Sequence, residues 1–184
     1  KVNLVRYADD FIITSEDRSV LDSEIMPLLK EFLAVRGLTL SEEKTKITHI
    51  DDGFDFLGFN FRKYNGKMLV RPSKEKVKVF LDKVRHIIET NKMAKQETLI
   101  RLLNPMLIGW ANYYKYSIAS EIFSRADFEI FRKLWRWSRR RHNAKGKHWV
   151  ANKYFHRVNG RNWTFSVTDS RKKGNEYFSL KRDR

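Results

Sequence analysis

Apolar residues recur with two different periods along the chain, and the change between them falls near Pro72. Residues 2–7 and 11–15 are short runs rich in β-forming side chains, separated by Ala8-Asp9-Asp10, and predict a hairpin with carboxylates at its tip. After Asp17, a candidate N-cap, Leu21, Ile25, Leu28, Leu29 and Phe32 keep helical spacing until Gly37 supplies a stop. Pro27 either interrupts this helix or begins its main part. Further extended segments follow at 38–44, 47–50, 54–63 and 67–71, and Asn65-Gly66 between the last two is a strong type I′ hairpin signal.

Beyond Pro72 the period becomes helical. Ser73 is placed to cap a helix whose Val77, Phe80, Leu81, Val84 and Ile88 form one apolar stripe. A second helix is expected over 98–104, a third opening at Pro105, and a fourth over 122–142 with Phe123, Ile130, Phe131 and Leu134 on its apolar face. Asn159-Gly160, followed by alternating Trp163, Phe165 and Val167, predicts a small hairpin. The chain then ends in a basic tail over 166–184, polar and loose from 169. The pattern predicts an α+β chain: hairpin, helix and small antiparallel sheet over 1–71, a helical bundle over 72–165, then the tail.

Charge sharpens that division. Residues 1–73 are close to neutral, with 11 Lys and Arg against 12 Asp and Glu, whereas 74–184 carry 27 against 10, so the formal net charge of +16 belongs to the helical half. All five Trp lie there too: Trp110, Trp135, Trp137, Trp149 and Trp163. A polyanion is the ordinary partner of such a surface, because each neutralised phosphate releases condensed counterions. An anionic membrane is the rival, and a basic surface helix at 122–142 fits it less well with a mixed α+β segment before it. No run of apolar residues is long enough to span a bilayer. With no Cys there is neither a disulfide framework nor a thiolate zinc site, which fits a reducing compartment. The chain starts at Lys1, inside an expected strand and without Met or a signal-peptide pattern, and is expected to be a fragment.

Adjacent Asp at a hairpin tip place acidic oxygens where divalent cations could be shared between carboxylate and phosphate, although most such pairs only make a polar turn. Three consecutive cations, Arg139, Arg140 and Arg141, cannot all be buried without partners. Together with Arg132, Arg136, Lys145 and Lys147 they are the candidate nucleic-acid contacts, with a solvated face as the plainer alternative. Trp110, Tyr113 and Tyr114, at helical spacing, are expected in the core rather than as stacking platforms. His142, His148 and His156 have no Cys and no convincing acidic partner near them, so they are expected at the surface or facing RNA.

The motifs in order carry a resemblance. Tyr7-Ala8-Asp9-Asp10 between two strands resembles the most diagnostic motif of reverse transcriptases, and Arg36-Gly37-Leu38, Leu40-Ser41 and Lys44-Thr45-Lys46-Ile47 resemble the palm motif that follows it in group II intron and related bacterial enzymes. Phe56-Leu57-Gly58-Phe59 is similar to the segment that grips the primer end. Leu103-Asn104-Pro105, Gly109-Trp110-Ala111-Asn112-Tyr113-Tyr114 and Leu134-Trp135-Arg136-Trp137 through Arg141-His142 resemble the maturase or X domain, which acts as thumb.

The resemblance implies a partial palm over 1–71 and a thumb/maturase domain over 72–165. It makes Asp9, and less directly Asp10, catalytic ligands of a two-Mg²⁺ site, and makes Phe56, Leu57 and Gly58 the primer grip. Lys44 would steady the departing pyrophosphate, although a solvated Lys is the commoner case. The implied partners are group II intron RNA, a DNA primer and dNTP, in a protein that copies intron RNA during retrohoming and serves as splicing maturase. A binding-only maturase, or a group II-like enzyme of a CRISPR system, is the alternative. The bacterial cytoplasm is the expected location, with an organelle second. The opposing palm Asp and the fingers are expected upstream of Tyr7, so this chain alone should not support templated synthesis.

Overall fold

The computed structural model describes residues 1–168 and the backbone of 177–179. Its contacts divide the chain into two compact units, Lys1–Asp52 and Gly53–Arg184.

The first unit holds a hairpin and a helix. Strands β1 (Asn3–Tyr7) and β2 (Asp10–Thr14) pair antiparallel from Asn3 with Thr14 to Tyr7 with Asp10. Only Ala8 and Asp9 remain for the turn, so Asp10 is the first residue of a strand rather than part of the tip. The helical segment runs through α1 (Arg18–Val20), a π-helical turn (Leu21–Ile25) and α2 (Met26–Ala34). The wide turn directly precedes Pro27, whose ring nitrogen cannot donate to the ladder, and it resolves the interruption expected there. Segments 38–44 and 47–50 form neither strand nor helix. Instead Lys44 and Thr45 donate their backbone N–H groups to the carbonyl of Ser41 at 3.2 and 2.9 Å, closing a local turn. No residue of this unit is buried.

The second unit begins with a three-stranded antiparallel sheet, β3 (Phe54–Phe56), β4 (Phe59–Tyr64) and β5 (Lys67–Pro72). Asn65 and Gly66 make the expected turn, both with positive φ (47° and 77°). The stretch 54–63 is not one strand, because Leu57 and Gly58 also take positive φ (50° and 81°) and fold it back so that Phe56 pairs with Phe59. Helix α3 (Lys74–Thr90) starts at Ser73, whose hydroxyl accepts from the Lys76 N–H at 3.3 Å. Next come α4 (Gln96–Tyr114), α5 (Ser120–Arg140) and the unforeseen α6 (Lys147–Tyr154). Pro105 does not open a new helix but lies inside α4. Leu99, Ile100 and Leu103 before it and Leu107 after it are all buried, and this common core face outweighs the single ladder bond that the proline removes.

Strands β6 (Phe155–Val158), β7 (Arg161–Thr168) and β8 (Tyr177–Ser179) form the last sheet. Residues 166–168, expected to begin the tail, therefore belong to a strand, and Ser166 is wholly buried. The loose stretch expected from 169 otherwise falls at 169–176 and 180–184, outside the described residues. The main core gathers Val84 and Ile88 of α3, Leu99 and Leu103 of α4, Ile130 and Leu134 of α5, Val150 of α6 and Phe165 of β7. Gln96, at the start of α4, closes it by donating its side-chain amide to the carbonyls of Tyr154 and Ser166, each at 3.0 Å.

Candidate nucleic-acid interface

Asp9 and Asp10 sit where the first hairpin turns. Ala8 holds a φ of 53°, unusual for a residue with a Cβ, and the Arg6 guanidinium donates to the Ala8 carbonyl at 2.7 Å, bracing the turn. Both carboxylates are exposed. Among the described residues no group of three or more His, Cys, Asp or Glu is arranged to hold a metal ion. Two adjacent carboxylates supply hard oxygen donors of the type that Mg²⁺ prefers, but not a complete ligand set. Lys44 lies exposed on the turn closed by Ser41.

Phe56, Leu57 and Gly58 are held by the helical part of their own unit. Tyr113, at the end of α4, donates its hydroxyl to the Leu57 carbonyl at 2.7 Å, and Tyr114 donates to the Gly58 carbonyl at 3.1 Å. The Ser73 N–H reaches the same Gly58 carbonyl at 2.9 Å. Gly58 is required twice over, by its φ of 81° and because a Cβ there would stand 3.0 Å from the Tyr114 hydroxyl oxygen. Phe59 packs against both tyrosines, with ring centroids 5.2 Å from Tyr113 and 5.0 Å from Tyr114. Tyr114 and Trp110 join the core as expected, Trp110 stacked on Phe80 at 4.3 Å. Tyr113 stays exposed and acts through its hydroxyl. Burial, and then the neighbouring Tyr113, push the Tyr114 phenol upward, so it remains a protonated donor.

The cations of α5 and of the segment that follows it divide by role. Arg141 donates through one nitrogen to the carbonyls of Lys92 (3.0 Å) and Ala94 (2.7 Å), with its guanidinium carbon 4.5 Å from the Trp137 ring centroid. The Trp137 indole N–H meets the Asn91 carbonyl at 3.0 Å. Together they cap the carboxyl end of α3 and its following loop, where cations and donors are favoured. Arg132 is paired with Glu129 at 3.4 Å. Arg136 and Arg140 are exposed and have no acidic partner among the described residues; Arg139 is half-buried. Lys145 and Lys147 are exposed around the start of α6, and Lys145 lies 5.5 Å from the Trp149 ring centroid.

Arg136 and Arg140 face helix α3 across a hollow of about 60 Å³, which is also lined by Lys133, Arg85, Lys92 and Glu89 over a floor of Ile88 and Trp137. Five cations and one carboxylate thus line the hollow, Arg85 being also paired with Asp82 at 3.5 Å. Arg85, on α3, and Lys92, two residues past its end, were missed in the sequence; Lys133 and Arg140 stand seven residues apart on α5, a spacing that returns to the same helix face. The histidines are more enclosed than expected. His142 bonds Tyr154 through Nε2 at 2.7 Å and His156 bonds Ser166 through Nδ1 at 2.9 Å, while His148 is exposed. Desolvation first, then Lys153, Arg141 and Lys145, lower the His142 imidazole.

Two family models match the chain. Residues 1–61 match the reverse transcriptase (RNA-dependent DNA polymerase) family and residues 77–155 match the group II intron maturase-specific domain. The group II intron-encoded protein LtrA of Lactococcus lactis subsp. cremoris is 32% identical over 140 residues, covering 60% of this chain and 23% of its own length. Maturase-like protein 1 of Euglena gracilis is 27% identical over 121 residues, covering 62% of this chain and 25% of its own. The chain therefore spans about a quarter of the length of these curated relatives.

Proposed function

The chain belongs to the family of group II intron reverse transcriptases and maturases, and from that premise we propose that it binds intron RNA through its helical unit and contributes Asp9 and Asp10 to an RNA-directed DNA polymerase centre. The observation that carries the RNA reading is the α3–α5 hollow, where Arg85, Lys92, Lys133, Arg136 and Arg140 outnumber Glu89 within the stretch that matches the maturase model. Such a cluster meets phosphates by position and charge, without reading sequence. Arg139, Lys145 and Lys147 extend the surface, whereas Arg132 and Arg141 also serve local structure.

In this reading 1–71 supplies palm elements and 72–165 the thumb and maturase surface. The turn at Phe56, Leu57 and Gly58 presents backbone to a primer end and is fixed in place by Tyr113 and Tyr114. Asp9 and Asp10 offer carboxylate oxygens to Mg²⁺ as two members of a ligand set that needs further acidic residues, and Lys44 offers a cation to the leaving group. The partners are intron RNA, a DNA primer and dNTP, in the bacterial cytoplasm or an organelle. No helix among the described residues is long and apolar enough to cross a membrane.

The test is RNA affinity against salt concentration. A steep linear fall of log affinity with log salt, made shallower by about one for each phosphate-contacting cation removed from the hollow, is the expected result. An affinity that does not respond to salt, or that is unchanged when Arg136 and Arg140 are both replaced by Ala, overturns the assignment.

A further inference from the structure

Trp163 holds a backbone conformation that a large aromatic side chain rarely adopts. In the β6–β7 ladder His156 pairs with Thr164 and Val158 with Arg161, so Arg157 on one strand faces both Asn162 and Trp163 on the other. The extra residue is a β-bulge, and Trp163 has a φ of 58°. A left-handed bulge position is ordinarily occupied by Gly, and bulges of this kind re-aim a side chain away from the alternation of its strand. The effect here is visible in burial: Thr164, Phe165 and Ser166 are all buried, yet Trp163 is 53% exposed.

The ring is exposed without being loose. It stands nearly perpendicular to Phe131 (89°) and steeply inclined to Trp135 (69°), with centroids 6.3 Å away in each case, and 6.4 Å from Phe155. Phe128, itself 59% exposed, lies on the same stripe of α5 as Phe131 and Trp135, with the Arg132 guanidinium carbon 5.8 Å from its ring centroid. The hairpin 155–168 contains Arg157 and Arg161 and no Asp or Glu. An exposed aromatic ring on a hairpin that carries arginines and no carboxylate matches what a single-stranded nucleic acid offers, a flat base joined to phosphates.

We propose that Trp163 is a stacking platform for an unpaired base of an RNA strand whose phosphates are met by Arg132, Arg157 and Arg161. This site lies outside the α3–α5 hollow and rests on the RNA-binding reading above, to which it adds an unpaired nucleotide as the ligand class. The strained bulge holds the ring ready, so binding does not have to order it.

Binding of the 184-residue chain is measured with two probes of about twelve nucleotides, an oligouridylate and an abasic RNA of equal length. Trp163→Ala is expected to weaken oligouridylate binding by about tenfold while leaving the abasic probe within about twofold, and Trp163→Phe to retain most of the affinity. Trp163→Leu keeps an apolar contact on Phe131 and Trp135 but offers no ring, so its matching loss would separate stacking from misfolding. Equal weakening of both probes, or of neither, overturns the platform while the RNA reading stands. Failure of the unsubstituted chain to bind either probe overturns both. Loss of binding to phosphatidylserine vesicles upon Trp163→Ala, with oligouridylate unaffected, replaces the RNA strand with a membrane.

Discussion

Tyr114 holds Gly58 across 56 residues of sequence, donating its hydroxyl to the glycine carbonyl at 3.1 Å. The acceptor also receives the Ser73 N–H, so Tyr114→Phe does not orphan it and is expected to cost about 1 kcal/mol of unfolding free energy. Gly58→Ala places a Cβ against that hydroxyl at positive φ and should cost more, about 1–3 kcal/mol. Chemical denaturation of the two variants checks the order.

Arg141 and Arg140 are neighbours with opposite expected phenotypes. Arg141→Ala removes the bonds to the Lys92 and Ala94 carbonyls and should lower stability by about 1–2 kcal/mol. Arg140→Ala, on an exposed side chain lining the hollow, should leave stability within about 0.5 kcal/mol and reduce the salt slope of RNA binding by about one. Thermal melting and salt titration of the same two proteins decide it.

Arg85→Ala and Lys92→Ala test the members contributed by α3 and the loop that follows it. Each should weaken RNA binding alike across unrelated sequences, since phosphate contacts do not discriminate bases. A loss confined to one RNA sequence would assign them to base readout instead.

His142 provides a pH signature. Its imidazole is lowered, so the unfolded chain binds the proton more readily than the folded one and stability falls as pH drops through about 6.5. His142→Gln should flatten that part of the melting curve against pH between about 7.5 and 5.5, leaving the loss due to carboxylates at lower pH. An unchanged slope would mean that His142 titrates alike in both states.

Asp9→Asn alters an exposed turn residue and should leave stability and RNA affinity close to those of the unsubstituted chain. In a longer protein that also carries the upstream palm and fingers, Asp9→Asn should abolish dNTP incorporation in a primer-extension assay with Mg²⁺. Parallel loss of RNA binding would make Asp9 a structural residue.

Much of this architecture was legible where local chemistry and tertiary need agree. Asn65-Gly66 and Asn159-Gly160 both form the turns that their φ preferences favour, and Ser73 caps α3 as its position before the apolar stripe suggests. The turn at Leu57-Gly58 was not legible within 54–63 because Leu seldom takes positive φ, and the groups that hold it, Tyr113, Tyr114 and Ser73, lie outside the segment. Pro105 misled for the opposite reason, since a shared core overrides its helix-breaking tendency. The run Arg139, Arg140 and Arg141 was recognisable as a set of cations, but Arg141 differs from the others through carbonyls nearly fifty residues away. Asp9 and Asp10 were evident from the sequence as a pair, and the register of β1 with β2 separates a turn residue from a strand residue.

The amide of Gln96 also has a temporal meaning. By reaching the carbonyls of Tyr154 and Ser166 it ties the opening of α4 to the end of α6 and to β7, made 58 and 70 residues later. As the chain emerges from the ribosome, α3 and α4 can form as isolated helices, but their apolar faces must wait for Val150, Tyr154 and Phe165 before the core is closed. The helical unit is therefore completed from its far end, and a nascent chain stalled before Val150 would leave the apolar faces of α3 and α4 without those partners.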